Sequence, residues 1–129
     1  MIYEPDNIDL SILAEHFVLL DGCATRKQLL AELIERQNGD DFLVLIDEID
    51  FNIVGFMIAY RYYDNLWINQ IWRQADTKLS NALEAMRQAT EWAKSRGMTA
   101  IIGETKRNEM LALGKYGFVE FSVIIKAKI

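Results

Sequence analysis

Three apolar runs separated by short polar turns constrain this chain more than any other feature. "FLVLI" (42–46) and "IVGFMIAYRYY" (53–63) flank the polar stretch "DEIDFN" (47–52), and "LWINQIW" (66–72) follows a turn at Asp64 and Asn65. The runs are rich in β-branched and aromatic residues, which favour strands, and such short connections join antiparallel neighbours. We therefore expect three consecutive antiparallel strands, of which the first two form a hairpin.

A long helix is expected directly after the third strand. Leu79, Leu83 and Met86 keep helical spacing, and Gly97 supplies the stop. "TAIIGET" (99–105) is the next strand, so this helix is a crossover that makes the strands on either side of it parallel neighbours. Asn108 caps a short helix, "EMLALGKY" (109–116), and "FVEFSVIIKAKI" (118–129) is predicted to be a final strand.

Two helices are expected before the sheet. Asp6 or Asn7 caps the first, which ends at Asp21 and Gly22 and carries a rough apolar stripe of Ile8, Ile12, Leu13, Phe17 and Leu20. Thr25 and Gln28 form a capping box for the second, which ends at Asn38 and Gly39 and has Leu29, Leu30, Leu33 and Ile34 on one face. The sequence therefore predicts one α/β (α+β) domain over residues 1–129, with a mixed, mostly antiparallel central sheet flanked by helices.

Composition narrows the possible functions. The net charge of −5 and the scattered basic residues argue against a nucleic-acid binder, which needs a basic stripe. No segment approaches the roughly 18 apolar residues of a membrane span, and the acidic start lacks the order of a secretory signal. Cys23 is the only cysteine, which fits a reducing, cytoplasmic compartment, and His16 is the only histidine, so no metal site is expected.

Local sequence patterns resemble the GCN5-related N-acetyltransferase (GNAT) family over nearly the whole chain. "NIVGFMIAY" (52–60) looks like the third strand of that family, and "ATEWAKSRGMTAIIGET" (89–105) looks like the end of its long helix and the strand that follows. "RNEMLALGKYGF" (107–118) is similar to its closing motif. The resemblance implies the acyl-CoA N-acyltransferase fold and direct transfer of an acetyl group from acetyl-CoA to a primary amine of a small molecule or peptide.

The resemblance also implies where acetyl-CoA binds. In that family it lies in a wedge between the fourth and fifth strands, and its pyrophosphate meets the start of the long helix, where unpaired N–H groups and the helix dipole favour an anion. The pantetheine arm would pair with the backbone of Ile71, Trp72 and Arg73, near Asn108. The residues implied for the pyrophosphate are Lys78, Leu79, Ser80, Asn81 and Ala82.

The turn before the long helix departs from the family pattern. Thr77 stands at the Gln/Arg position and Ser80 at the first glycine position, whereas Ala82 is an accepted substitute at the second. Glycine lets phosphates approach the backbone closely, so its absence weakens this site. Asp76 would repel a pyrophosphate, and Lys78 would attract it.

Two residues are candidates for acid–base chemistry. Glu104, at the end of the strand after the long helix, is the best candidate for the general base. Asp47, Glu48 and Asp50 are expected on the hairpin turn, farther out, and Asn69 or Gln70 lies on the central strand. The family's general acid is a tyrosine four residues before the glycine of the closing motif. That position is Leu113 here. Tyr116 would serve as the acid only if the helix shifts, and it is otherwise expected to pack in the core.

Other functions stay open. The missing glycines and tyrosine fit a catalytically degenerate protein of the same fold with a binding or structural role, similar to compact family members found among bacteriophage genes. An unrelated mixed α/β module would require the matches to be coincidental. The aromatic residues of the second and third strands pack the core, line an acceptor pocket or form a homodimer surface.

Overall fold

The computed structural model describes residues 1–19, 25–39, 41–75, 79–104, 119–121 and 124–129, with the backbone alone at 79–80, 104, 119–121 and 124–127. Two α-helices are described, α1 (Arg26–Gly39) and α2 (Leu79–Ser95), and a 3₁₀ helix spans Leu10–His16. The strands are β1 (Ile2–Tyr3), β2 (Phe42–Ile49), β3 (Asn52–Tyr62), β4 (Asn65–Arg73), β5 (Ala100–Glu104), β6 (Val119–Phe121) and β7 (Ile124–Lys128).

The described strands form one sheet in the order β1-β2-β3-β4-β5-β7-β6. Every neighbouring pair is antiparallel except β4 and β5, which are parallel and joined by α2. The predicted mixed, mostly antiparallel sheet is therefore confirmed. The helix-length connection explains the single parallel pair, because a tight turn can only join antiparallel strands.

The turn between β2 and β3 is tighter than the sequence predicted. Asp50 and Phe51 connect the strands with φ of 51° and 66°, and positive φ at both central residues is the geometry that matches the twist of a hairpin. β2 continues through Ile49 as a result, so Asp47 and Glu48 belong to a strand and the prediction that placed them on the turn is wrong. Asp47 is in fact 7% exposed.

α2 covers one face of the sheet. Met86, Ala89, Trp92 and Ala93 of α2 are buried against strand residues that include Leu45, Met57, Leu66 and Ile101. The helix ends as predicted at Gly97, whose φ is +75°, and the Met98 N–H donates to the Ala93 carbonyl at 3.0 Å. Because α2 follows β4 in the chain, its start lies beside the carboxyl end of β4, where the sequence predicts a binding site.

The 3₁₀ helix and α1 cover the opposite face. The capping box of α1 is confirmed, since the Thr25 N–H donates to Gln28 Oε1 at 2.9 Å and the Gln28 N–H donates to Thr25 Oγ1 at 3.2 Å. The first helix differs from the prediction: it is a 3₁₀ helix capped by Asp9, whose carboxylate accepts from the Ser11 N–H at 2.9 Å. A repeat of three residues per turn buries Leu10 and Leu13 and leaves Ile12 exposed.

The end of the chain also differs from the prediction. The run 118–129 contains two strands, β6 and β7, which pair antiparallel from Val119–Lys126 to Phe121–Ile124. No glycine, proline or asparagine lies between the two strands, and Ser122 is the one turn-favouring residue there, so the sequence carried only a weak signal for the break. The short helix predicted after Asn108 lies outside the described residues. Among the described helices, none has the length and apolar content needed to cross a membrane.

Candidate active site

The two parallel strands separate near the middle of the sheet. β4 and β5 pair from Asn65–Ala100 to Ile68–Gly103, and β4 then continues for five residues to Arg73. Within the part of the chain that the structure describes, this stretch of β4 pairs with β3 alone. Among the described residues a gap therefore lies beside the last five residues of β4, and we call it the β4–β5 gap.

A β-bulge stands where the gap begins. Ile58 and Ala59 of β3 face Gln70 and Ile68 of β4, so Asn69 is the extra residue. A bulge bends its strand and increases the local twist. It therefore turns the end of β4 away from β5 directly after the last pair. Gly103 lies close to the backbone of β4, since a Cβ added there would lie 3.3 Å from the Ile68 carbonyl oxygen.

The hydrogen-bond pattern shows which backbone groups face the gap. The Gln74 N–H donates to the Val54 carbonyl at 2.7 Å, and Trp72 faces Phe56 two residues earlier in the same register. In an antiparallel ladder every second residue forms its backbone hydrogen bonds with the same neighbouring strand. The N–H and C=O groups of Trp72 therefore also face β3. Ile71 and Arg73, between these positions, direct their N–H and C=O groups toward the gap.

The start of α2 lies over the ends of β2, β3 and β4, and an open, mostly apolar cleft lies beneath it. Ile71, Trp72 and Arg73 of β4 line this cleft together with Asn81 and Ala82 of α2. The remaining lining residues are Ile2, Leu45, Asp47, Gly55, Phe56, Met57 and Ala85. The cleft extends toward β2, so it borders the β4–β5 gap rather than filling it.

Asp47 is the charged group buried in this cleft. Its carboxylate accepts a hydrogen bond from Asn81 Nδ2 at 3.0 Å and lies 3.5 Å from the amino group of Met1. Asn81 is thus tied to the sheet by its side chain, while its backbone belongs to the first turn of α2. This contact fixes the start of α2 relative to β2.

The opposite face of the gap is covered by the end of the 3₁₀ helix. The imidazole of His16 stacks on the indole of Trp72 with ring centroids 3.7 Å apart. Two residues later, the Val18 N–H donates to Gln70 Oε1 at 2.6 Å, and Gln70 Nε2 donates to the Val18 carbonyl at 3.0 Å. Residues 16–18 therefore lie along the part of β4 that β5 has left.

The structure brings together five of the predicted cofactor-binding residues, namely Ile71, Trp72, Arg73, Asn81 and Ala82. Leu79 and Ser80 are the first two residues of α2 and are described by their backbone. Glu104 is the last residue of β5, one position beyond the Ile68–Gly103 pair at which the gap begins, and its backbone pairs with Ile124. Lys78, Asn108 and Tyr116 lie outside the described residues, as do Asp76, Thr77 and Leu113.

Some contacts and burial in this region are evident only from the structure. Gln70 is 5% exposed and bridges positions 52 residues apart, and Asp47 is buried although it follows an apolar run in the sequence. A polar pair, Asn69 and Gln70, inside an otherwise apolar strand is the one signal that could have identified the bulge. In the described part of the chain, no group of three His, Cys, Asp or Glu side chains is arranged to hold a metal ion.

The fold is shared with solved acetyltransferases. An IAA acetyltransferase from Bacillus cereus superposes with a TM-score of 0.74 at 15% identity, covering 100% of this chain and 99% of that chain. A GNAT family acetyltransferase from Elizabethkingia anophelis with acetyl-CoA bound gives 0.75 at 11% identity, covering 100% and 97%. The ribosomal-protein-S18-alanine N-acetyltransferase of Escherichia coli gives 0.72 at 15% identity, covering 100% and 94%.

Sequence comparison alone does not find these relationships. No protein-family profile matches the chain, and no curated protein matches it in sequence. The structural likeness over the whole chain shows that it has the acyl-CoA N-acyltransferase fold of the GNAT family, as the sequence patterns implied. At 11–15% identity the likeness establishes the fold, and the activity has to be argued from the site.

Proposed function

We propose that this protein is an N-acetyltransferase that moves an acetyl group from acetyl-CoA to a primary amine of a small molecule or peptide. The observation that carries the proposal is the separation of β4 from β5 after Ile68 and Gly103, beside the start of α2. The fold neighbours support it, since the Elizabethkingia anophelis protein holds acetyl-CoA. Acetyl-CoA would be a co-substrate here and not a resident cofactor.

The residues at the gap suit the two ends of acetyl-CoA. The backbone groups of Ile71 and Arg73 would pair with the amides of the pantetheine arm, much as an added strand would, with Trp72 between them held by β3. The pyrophosphate would lie at the start of α2, where the backbone from Leu79 to Ala82 offers N–H groups and the helix dipole favours an anion, and Lys78 would add a positive charge. The Arg73 side chain is exposed at the same end of β4. Asn108 would lie beside the pantetheine arm.

The chemistry is a direct transfer. The nitrogen lone pair of the neutral amine attacks the thioester carbonyl carbon, a C–N bond forms, and the C–S bond breaks as the CoA thiolate leaves. The amine loses one proton to a base, and the thiolate takes up one proton. Glu104, at the end of β5, is the proposed base, directly or through water, and Tyr116 is the proposed proton donor to the thiolate.

The cellular compartment and the oligomeric state are proposed from the cysteine content and from exposed aromatic residues. We propose that the chain acts as a single domain in the cytoplasm, where its lone cysteine stays reduced. A homodimer would use the aromatic residues at the end of the β3–β4 hairpin, because Tyr62 and Tyr63 are 47% and 79% exposed.

An acetylation assay tests the proposal. The protein would be incubated with acetyl-CoA and, separately, a peptide with a free N-terminus, a polyamine and an aromatic amine, and both thiol release and a mass gain of one acetyl group would be followed. We expect amine-dependent CoA release that stops when the amine is omitted. Glu104→Gln should lower kcat by about 10²–10⁴, as loss of a positioned base does, while leaving acetyl-CoA affinity unchanged.

A second function is favoured by one observation. The stretch 74–82 contains no glycine, which the phosphates would need for close approach to the backbone. A catalytically degenerate protein of the same fold, with a binding or structural role, would bind acetyl-CoA weakly or not at all. Absence of transfer to every amine of the panel, whether or not acetyl-CoA binds, favours this function over the enzyme.

A further inference from the structure

Two carboxamides occupy the point where the β4–β5 gap begins. Asn69 is the extra residue of the bulge and follows Ile68, the last β4 residue paired with β5. Gln70 comes next and is 5% exposed. Bulges often re-aim side chains beside active sites. Both side chains lie on the face covered by the 3₁₀ helix, because Asn69 contacts Tyr60 and Gln70 contacts Val18.

The orientation of Gln70 is fixed by the backbone of Val18. A backbone N–H can only donate and a backbone C=O can only accept, so Gln70 Oε1 faces the Val18 nitrogen at 2.6 Å and Nε2 faces the Val18 oxygen at 3.0 Å. The Gln70 end of both bonds is shielded from water, because that side chain is almost fully buried. Breaking this contact would leave buried polar groups unpaired.

Gln70 in turn fixes the orientation of Asn69. The second N–H of Gln70 Nε2 donates at 3.2 Å to the neighbouring carboxamide, which must therefore present its oxygen, Asn69 Oδ1. Asn69 Nδ2 then points to the Tyr60 hydroxyl, 3.4 Å away. A carbonyl oxygen has two acceptor positions, and Gln70 occupies one of them. Among the described residues no second donor contacts Asn69 Oδ1, so its other acceptor position can receive an N–H group beside the start of the gap.

We infer that Asn69 contacts and orients the acceptor amine, and that Gln70 is a positioning residue that holds Asn69 and the segment 16–18 in place. The inference rests on the proposed acetyl transfer. A neutral carboxamide suits this role, because it accepts a hydrogen bond from the amine N–H without stabilising the protonated, non-nucleophilic ammonium as strongly as a carboxylate would. The contact lies on the sheet face opposite α2, so it belongs to the acceptor and not to the pyrophosphate.

The test separates the amine from acetyl-CoA. Asn69→Leu keeps the approximate volume and removes the acceptor oxygen, whereas Asn69→Asp retains an oxygen that accepts from both Gln70 and the amine. We expect Asn69→Leu to lower kcat/KM for the amine at least about tenfold, as loss of one hydrogen bond does, with the acetyl-CoA Kd within about twofold of the wild type. Asn69→Asp should be less active than the wild type but more active than Asn69→Leu, because its carboxylate accepts from the amine but also stabilises the non-nucleophilic ammonium. Asn52→Ala, at the first residue of β3, is the control for an unrelated asparagine.

The positioning role of Gln70 has its own readout. Gln70→Met should raise the KM for the amine, leave the acetyl-CoA Kd unchanged and speed hydrogen exchange at the Val18 amide by at least about tenfold. If Gln70→Met does not fold, Gln70→Glu replaces it: the carboxylate still accepts from the Val18 N–H but can donate neither to the Val18 carbonyl nor to Asn69, so the KM for the amine should rise. Unchanged exchange at Val18 in folded Gln70→Met overturns the positioning role whether or not the protein is an acetyltransferase, and an unchanged KM for the amine in Gln70→Glu overturns it in the enzyme.

The outcomes distinguish this inference from the proposed function. If the wild type transfers acetyl groups and Asn69→Leu retains this activity in full, the role of Asn69 is overturned and the proposed function stands. The same holds if Asn69→Leu loses only affinity for acetyl-CoA. Absence of transfer by the wild type overturns the proposed function and the role of Asn69 with it.

Discussion

Ile68 and Gly103 form the last described pair between the parallel strands β4 and β5, and a Cβ on Gly103 would lie 3.3 Å from the Ile68 carbonyl oxygen. The two strands are thus held close at one position and separate directly beyond it. The bulge at Asn69 supplies the bend, and the lack of a side chain at Gly103 permits the close approach. Together they define where the β4–β5 gap begins.

Gly103 therefore has a steric role that can be measured. Gly103→Ala should destabilise the fold by about 1 kcal/mol, because the neighbouring carbonyl must move to admit the methyl group. Gly39→Ala is the matched control: a Cβ there has no neighbour within 4 Å, so stability should be unchanged or rise by up to about 1 kcal/mol. Urea unfolding of both variants makes the comparison, and equal stabilities would contradict the close approach.

The direction of the Ile71 backbone is testable with proline. Its N–H points away from β3, so Ile71→Pro should leave the β3–β4 ladder intact and the protein folded. The same change removes a donor that faces the gap and should weaken acetyl-CoA binding at least about tenfold. Ile71→Ala keeps the N–H and controls for the side chain, so calorimetry should find its affinity near that of the wild type. Equal affinity of the proline variant would place the pantetheine arm elsewhere.

α1 is attached to the sheet mainly through one fully buried side chain. Leu33 is 1% exposed, whereas its neighbour Ile34 is 40% exposed. Leu33→Ala should cost about 2–5 kcal/mol by leaving a cavity between α1 and the sheet. Ile34→Ala should change stability by no more than about 0.5 kcal/mol. Comparable losses in chemical unfolding would show that α1 packs with a different face.

The exposed ion pair of α2 predicts a pH dependence. Hydrogen bonds from Arg87 and Gln88 lower the pKa of Glu84 to about 2. A lowered pKa means that the ionised carboxylate stabilises the folded state above the ordinary value of 4.5, and that this stabilisation is lost as the pH falls toward 2. Glu84→Gln should lower Tm by about 1–2 °C at pH 7 and by nothing near pH 2. Glu35→Gln on α1 is the control, and a Tm difference that persists at pH 2 would contradict the assignment.

Much of the fold could be predicted because local signals agreed with the tertiary structure. The capping box at Thr25, the stop at Gly97 and the apolar runs of β2–β4 are each set by neighbours in sequence. The errors lie where long-range packing decided. The first helix is 3₁₀, with Leu10 and Leu13 both buried against the sheet, and the end of the chain folds into two strands with Ser122 as the one turn-favouring residue between them.

The site was less predictable than the fold. Five predicted residues line the cleft at the start of α2, because the order of elements alone places the end of β4 beside that helix. The contact of Gln70 with Val18 spans 52 residues, and Asp47 is buried by Asn81 from a distant helix. No local pattern encodes either contact, since each depends on how elements meet across the sheet.

Titration with acetyl-CoA tests the central claim most directly. Isothermal calorimetry and thermal unfolding of the wild type would be performed with acetyl-CoA and, in parallel, with CoA. If the β4–β5 gap binds acetyl-CoA, a single saturable site should appear, and at 100 times Kd the folded state should gain about 2.7 kcal/mol. No heat of binding and no rise in Tm at millimolar acetyl-CoA would contradict the claim.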